Sequence, residues 1–133
     1  MPFSEIEARA EHNMTALAKK FLDSVSDSIK AIENSWLALK ENRGTFADRN
    51  IIFDHCHDLK GTGGSFDYPL ISLVGEKICL LTDEVIEVEA LNLAFIHAHI
   101  DILSWSVANR VGSLNDPRSE KLLTALENTK VAT

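Results

Sequence analysis

The sequence predicts an all-α fold, an antiparallel up-down four-helix bundle with additional short N- and C-terminal helices, formed as one domain over residues 1–133. Three observations predict it. Apolar residues recur at spacings of three and four along most of the chain, the signature of helices with one buried face. No segment alternates apolar and polar residues with the period of two that a half-buried strand requires. Helix breakers are scarce: there are three prolines and six glycines, and three of those glycines crowd into one short run, Gly61-Thr62-Gly63-Gly64.

Taken in order, Ser4 and Glu7 form a capping-box pattern that predicts a short first helix. From Met14 the apolar positions step through Leu17, Phe21, Val25, Ile29, Ile32, Trp36 and Leu39, which predicts one long amphipathic helix. A small break near Asn13 is compatible with the pattern. Asn42-Arg43-Gly44 supplies the stop. Thr45 with Asp48 three residues on opens the next helix, over about 45–66. Asp67-Tyr68-Pro69 closes it, since a residue before proline is steered out of helical geometry.

Leu70, Val74, Ile78, Leu81 and Val85 mark the third long helix. A fourth is predicted from about Glu89 to Val111, with Ala94, Ala98, Ile102, Trp105 and Ala108 on its inner face. Asp116-Pro117, a cap followed by proline at the first helical position, opens a last short helix carrying Leu122, Leu123 and Leu126. The connections near Gly44 and Tyr68 are short, as antiparallel neighbours require.

Composition narrows the function. A formal net charge of -7 argues against nucleic-acid binding, which needs a basic face to neutralise phosphates. No apolar run approaches the ~20 residues of a membrane span, and no basic-then-apolar leader opens the chain. Cys56 and Cys79 lack scaffold spacing, so both are read as reduced thiols in small core positions of a cytoplasmic protein.

The chemistry concentrates in His57-Asp58-Leu59-Lys60-Gly61-Thr62-Gly63-Gly64-Ser65-Phe66. Each glycine costs a helix about 1 kcal/mol relative to alanine, so the run signals close approach of something to the backbone. At about 100° per residue, Phe53, Asp54, His57, Lys60, Gly61 and Gly64 gather within about 60° of His57. Ile52, His55, Leu59, Gly63 and Phe66 fall opposite, on the more apolar side, which assigns them to the core and turns His57 outward. An exposed imidazole, with an ordinary pKa of about 6.5, is largely neutral near pH 7 and nucleophilic. Attack on an acyl phosphate would place a phosphoryl group on its ring, and Lys60, one turn on, would offer an ammonium to the charged oxygens. Gly61 and Gly64 leave room for a partner's loops, and Phe53 and Asp54 would flank the docking surface. Gly63 is read as a packing notch.

The remaining histidines read differently. His55 and His57 are two residues apart and point in nearly opposite directions, as do His97 and His99, so neither pair ligates one metal from a regular helix. His55 is expected at the core edge, hydrogen-bonded to a neighbouring helix. No metal site is expected, since no two of the candidate ligands sit at the i, i+4 spacing that shares a helical face.

At these residues the chain resembles the histidine-containing phosphotransfer (HPt) domain family, whose motif reads roughly His-x-x-Lys-Gly followed by small residues, then a glycine and an apolar residue. The version here is most similar to that of chemotaxis kinases. The resemblance implies a phosphocarrier of a two-component phosphorelay without kinase activity of its own. His57 would be the phosphoacceptor, Lys60 the residue beside the phosphoryl group, and Gly61 and Gly64 the small docking positions. The implied partners are response-regulator receiver domains and a sensor (hybrid) histidine kinase. No cofactor is implied, with Mg²⁺ belonging to the partner's receiver site, and a monomer is expected. Two positions depart from the pattern: Asp67 stands where a glycine commonly follows Phe66, and Cys56 stands where alanine often precedes the histidine. Two alternatives are a non-catalytic adaptor that docks receiver domains and a helical metal or ligand sensor built from His97, His99 and the cysteines.

Overall fold

A computed structural model describes residues 2–132, apart from the side chains of Met14 and residues 130–132. Among the described residues the chain is all-helical: α1 (Phe3–Lys40), α2 (Phe46–Ser65), α3 (Pro69–Leu81), α4 (Leu93–Asn109) and α5 (Pro117–Ala132), with a 3₁₀ turn at Val88–Ala90. Helix α1 packs on α2 and α4, α3 lies against α2 and α4, and α5 packs on α4. No described helix is long and apolar enough to cross a membrane.

Helix α1 is longer than expected at its start. The Ser4–Glu7 capping box does not form; the helix begins at Phe3 with Pro2 as its N-cap and runs through Asn13 without a break. The separate N-terminal helix is therefore absent, merged into α1. The stripe from Phe21 through Val25, Ile29, Ile32, Trp36 and Leu39 is buried, whereas residues 2–13 are exposed and Leu17 is 54% exposed. Met14, first in the expected stripe, lies outside the described side chains. The stop divides its labour: Asn42 takes the left-handed conformation (φ 58°), and Gly44 lets the chain fold back over the helix end. A Cβ on Gly44 would lie 2.7 Å from the Leu39 nitrogen.

Helix α2 starts as its sequence dictates. Thr45 Oγ1 accepts from Ala47 N–H at 3.2 Å, and the Asp48 carboxylate accepts from Thr45 N–H at 3.0 Å. Proline at its first position opens α3.

The next two boundaries correct the expectation. Helix α3 ends at Leu81, and Val85 lies beyond it, 83% exposed. Asp83 accepts from Val85 N–H at 3.0 Å, an Asx turn that competes with another helical turn. The acidic link is pinned by Arg49, whose guanidinium donates to the carbonyls of Glu84 (3.4 Å) and Ile86 (3.1 Å). Helix α4 begins at Leu93, not near Glu89, because Asn92 is the working cap, accepting from Phe95 N–H at 3.1 Å. It ends at Asn109, with Arg110 left-handed (φ 53°).

The face of α4 also differs. Phe95, Ile96, His99, Ile100, Ile102, Leu103 and Ser106 are buried, while Ala94 and Ala108 are exposed. Two polar residues, His99 and Ser106, sit in the core because local partners satisfy them. His99 Nδ1 meets Phe95 O at 2.7 Å, and Ser106 Oγ donates to Val111 O at 2.6 Å. Of the expected inner residues, Ala98, Ile102 and Trp105 line a groove with Leu122 and Leu126 of α5. The last helix opens at Pro117 as expected, with Asp116 accepting from Arg118 N–H at 2.8 Å.

Candidate functional site

Helix α2 packs directly on the backbone of α3, and glycines make this possible. A Cβ on Gly63 would stand 2.7 Å from Ser72 N and 2.9 Å from Tyr68 O. One on Gly75 of α3 would stand 2.9 Å from Cys56 O and 3.1 Å from Lys60 N. Ser72 Oγ donates to the Lys60 carbonyl at 2.6 Å, tying the two helices beneath the motif. Gly63 is thus the packing notch its wheel position implies. Gly75 and Ser72, on the partner helix, were missed; a lone glycine inside an apolar helix was the available signal.

The opposite side of α2 is open. Asp54, His57, Lys60, Gly61 and Gly64 are exposed, and a Cβ on either Gly61 or Gly64 would meet nothing within 4 Å. These two glycines therefore serve no packing need within the described chain. Phe53 departs from its expected exposure. It is half-buried against the core, and its ring lies nearly parallel to that of His57, with centroids 6.1 Å apart and planes at 9°. It walls one side of the imidazole. Lys60 Nζ lies 3.8 Å from Glu76 Oε1 of α3, both side chains about half exposed (48% and 50%). Glu76 was not anticipated, since its proximity depends on the register between α2 and α3.

At the C-terminal end of α2, Asp67 adopts φ 64°. It takes the left-handed turn in which glycine is free of steric cost, and Tyr68 N–H still closes on Gly63 O at 2.8 Å. The departure at Asp67 therefore preserves the turn. Phe66 is 37% exposed but stacks on Phe21 of α1, with centroids 4.7 Å apart. Cys56, fully buried, fills the alanine-like position at the helix interface, and burial pushes its thiol far above the ordinary range. Burial also raises the Cys79 thiol, whose sulfur lies 3.7 Å from Phe53 O. Both cysteines are free.

The other histidines do not join this face. His55 is half-buried, and no hydrogen bond holds it among the described residues, contrary to expectation. His99 is buried in the core, and desolvation lowers its pKa. His97 points elsewhere, toward Glu33 (3.2 Å) and Asp101 (3.5 Å). The fold does not gather His97, His99 and the cysteines into one site. It does bring His97 together with Asp101 one turn on along α4, a histidine–carboxylate pair at i, i+4.

What the motif face can do chemically is present an accessible imidazole nitrogen beside one ammonium, on a helix whose neighbouring turns offer bare backbone. Compared with family models, curated proteins and solved structures, the chain matches none.

Proposed function

We propose that this chain is a histidine phosphotransfer protein of a two-component phosphorelay, an intermediate carrier without kinase activity. The observation that supports it most is the contrast along α2. Gly63, and Gly75 on the facing helix α3, are demanded by packing, yet Gly61 and Gly64 face open space beside exposed His57. Helix stability is given up at two positions for which no internal contact accounts, and a partner's approach accounts for both.

In the proposed reaction a receiver-domain aspartyl phosphate, or a phosphorylated sensor (hybrid) histidine kinase, meets His57. The imidazole lone pair forms the new P–N bond as the donor's bond to phosphorus breaks, the P–O bond of an aspartyl phosphate or the P–N bond of a kinase phosphohistidine, and the donor's carboxylate or imidazole leaves with that electron pair. Lys60 neutralises charge on the phosphoryl oxygens, and Phe53 limits the swing of the ring. Transfer to a second receiver domain reverses these steps. Mg²⁺ would act on the partner's side. Under this reading α1–α4 form the up-down four-helix bundle, α5 is an appended helix, and the protein works in the cytoplasm.

The test is incubation with receiver domains loaded by a small acyl phosphate. The expected result is acid-labile, base-stable label on the wild-type chain, lost in His57→Gln and kept in His55→Ala. Full labelling of His57→Gln refutes the assignment. Stable receiver binding without any transfer supports the adaptor alternative instead.

A further inference from the structure

A second site joins α1 to α4, away from the α2 motif. Glu33 Oε2 lies 3.2 Å from His97 Nε2, and Asp101 Oδ2 lies 3.5 Å from His97 Nδ1. One donor atom from each of the three residues can be chosen so that all lie within 4.8 Å of one another. The imidazole is held from behind: its ring packs on that of Trp36 with centroids 4.2 Å apart, and Trp36 Nε1 donates to Leu93 O at 2.8 Å. Glu33 and Trp36 come from one turn of α1, and Leu93, His97 and Asp101 from successive turns of α4. The site is thus set by two helices already locked in register.

Its charge is unbalanced. A neutral imidazole has one N–H and one lone pair, so it can donate to only one of two carboxylates. The other carboxylate then faces the lone pair, acceptor against acceptor. Among the described residues neither Glu33 nor Asp101 forms an ion pair with any lysine or arginine. A cation held between the imidazole and a carboxylate resolves the conflict.

We propose that Glu33, His97 and Asp101 bind one divalent transition-metal ion of the Zn²⁺ class. In this arrangement His97 Nε2 and the Glu33 carboxylate are ligands. Asp101 accepts the Nδ1 proton and orients the ring, the carboxylate–histidine–metal arrangement, or turns on its exposed side chain to bind directly. Water completes the shell. One nitrogen with carboxylate oxygens suits Zn²⁺ or Ni²⁺ better than Ca²⁺ or Mg²⁺, which favour all-oxygen shells. Binding would staple α1 to α4.

The experiment is calorimetric titration of the untagged full chain with ZnCl₂, with Ni²⁺ quenching of tryptophan fluorescence as a second readout of the Trp36 neighbourhood. One saturable equivalent is expected. Affinity should fall about tenfold to a hundredfold in Asp101→Asn and at least that far in Glu33→Gln and His97→Gln. His97→Gln also loses packing on Trp36, so the two carboxylate variants, which leave that stacking intact, carry the test if it misfolds. His57→Gln should bind Zn²⁺ as the wild type does, which separates this site from the proposed phosphotransfer face. No saturable binding by the wild type overturns the proposal. So does unchanged affinity in Glu33→Gln and Asp101→Asn.

Discussion

His57 and Lys60 share one face of α2, yet their surroundings are not symmetrical. The imidazole has a ring beside it and open solvent above, while the ammonium is drawn toward Glu76 across the helix interface. A phosphoryl group on His57 would compete with Glu76 for Lys60. Lys60→Ala is therefore expected to slow phosphotransfer about tenfold, at the low end for a charge-stabilising donor because the site is open to water. Glu76→Gln should act oppositely, raising the equilibrium share of phosphorylated His57 about two- to threefold, the scale of one exposed ion pair. Both are read by quantifying labelled chain against labelled receiver; equal effects in the same direction would show that the pair merely supports the helix. His99 makes a separate prediction. Burial depresses its pKa, with Phe95 O, Lys77 and Glu127 as its polar surroundings. The folded chain thus binds fewer protons than the unfolded one, so stability is lost as pH falls below the unfolded value of about 6.5. The melting temperature should drop between about pH 7 and about pH 5.5, and the drop should be shallower in His99→Gln.

Among the helices, α2 and α3 carry the clearest division between packing and function. Gly61→Ala and Gly64→Ala add a Cβ to open space and should each stabilise the chain by about 1 kcal/mol in urea unfolding while impairing transfer from a receiver. Gly75→Ala should destabilise by about 1–3 kcal/mol, because its Cβ would push against the backbone of Cys56 and Lys60. Stabilisation with unimpaired transfer at Gly61 and Gly64 would remove the main support for a docking face. Asp67→Gly relieves a left-handed backbone and is expected to stabilise by up to about 1 kcal/mol. The α2 contrast was legible in the sequence because helical geometry alone sorts positions 52–66 into two faces. The fit against α3 was not, because Ser72, Gly75 and Glu76 matter only through a register that tertiary packing decides. The ends of α3 and α4 were misplaced for a similar reason. Apolar spacing at Val85 and acidic spacing at Glu89 imitate helix, whereas the short side chains of Asp83 and Asn92 capture backbone N–H groups and set the true boundaries. The expected inner face of α4 follows the small residues Ala94, Ala98 and Ala108, whereas the larger Phe95, Ile96, Ile100 and Leu103 are the ones buried, with His99 and Ser106 satisfied among them by their own partners.

For the molecule as a whole, the long α1 links a packed region to one without a covering. From Phe21 onward its apolar stripe lies in the core shared with α2, α3 and α4. Before that point Phe3 is 76% exposed, Ile6 50% and Leu17 54%, although they continue the same stripe by helical spacing. Isolated helices of this length are marginal in water, so this stretch draws its helicity from propagation out of the packed half and contributes little burial in return. Deleting residues 2–13 should accordingly leave folding stability within about 1 kcal/mol of the full chain, as for surface changes that touch no core contact. Far-ultraviolet circular dichroism should lose only the signal of the removed turns, and the unfolding slope in urea, which follows the surface exposed on unfolding, should barely change. Transfer through His57 should persist, because every residue of the deleted segment is exposed and the motif lies on α2. A markedly lower melting temperature in the shortened chain would mean that this stripe folds against the bundle in solution, a packing absent from the described structure.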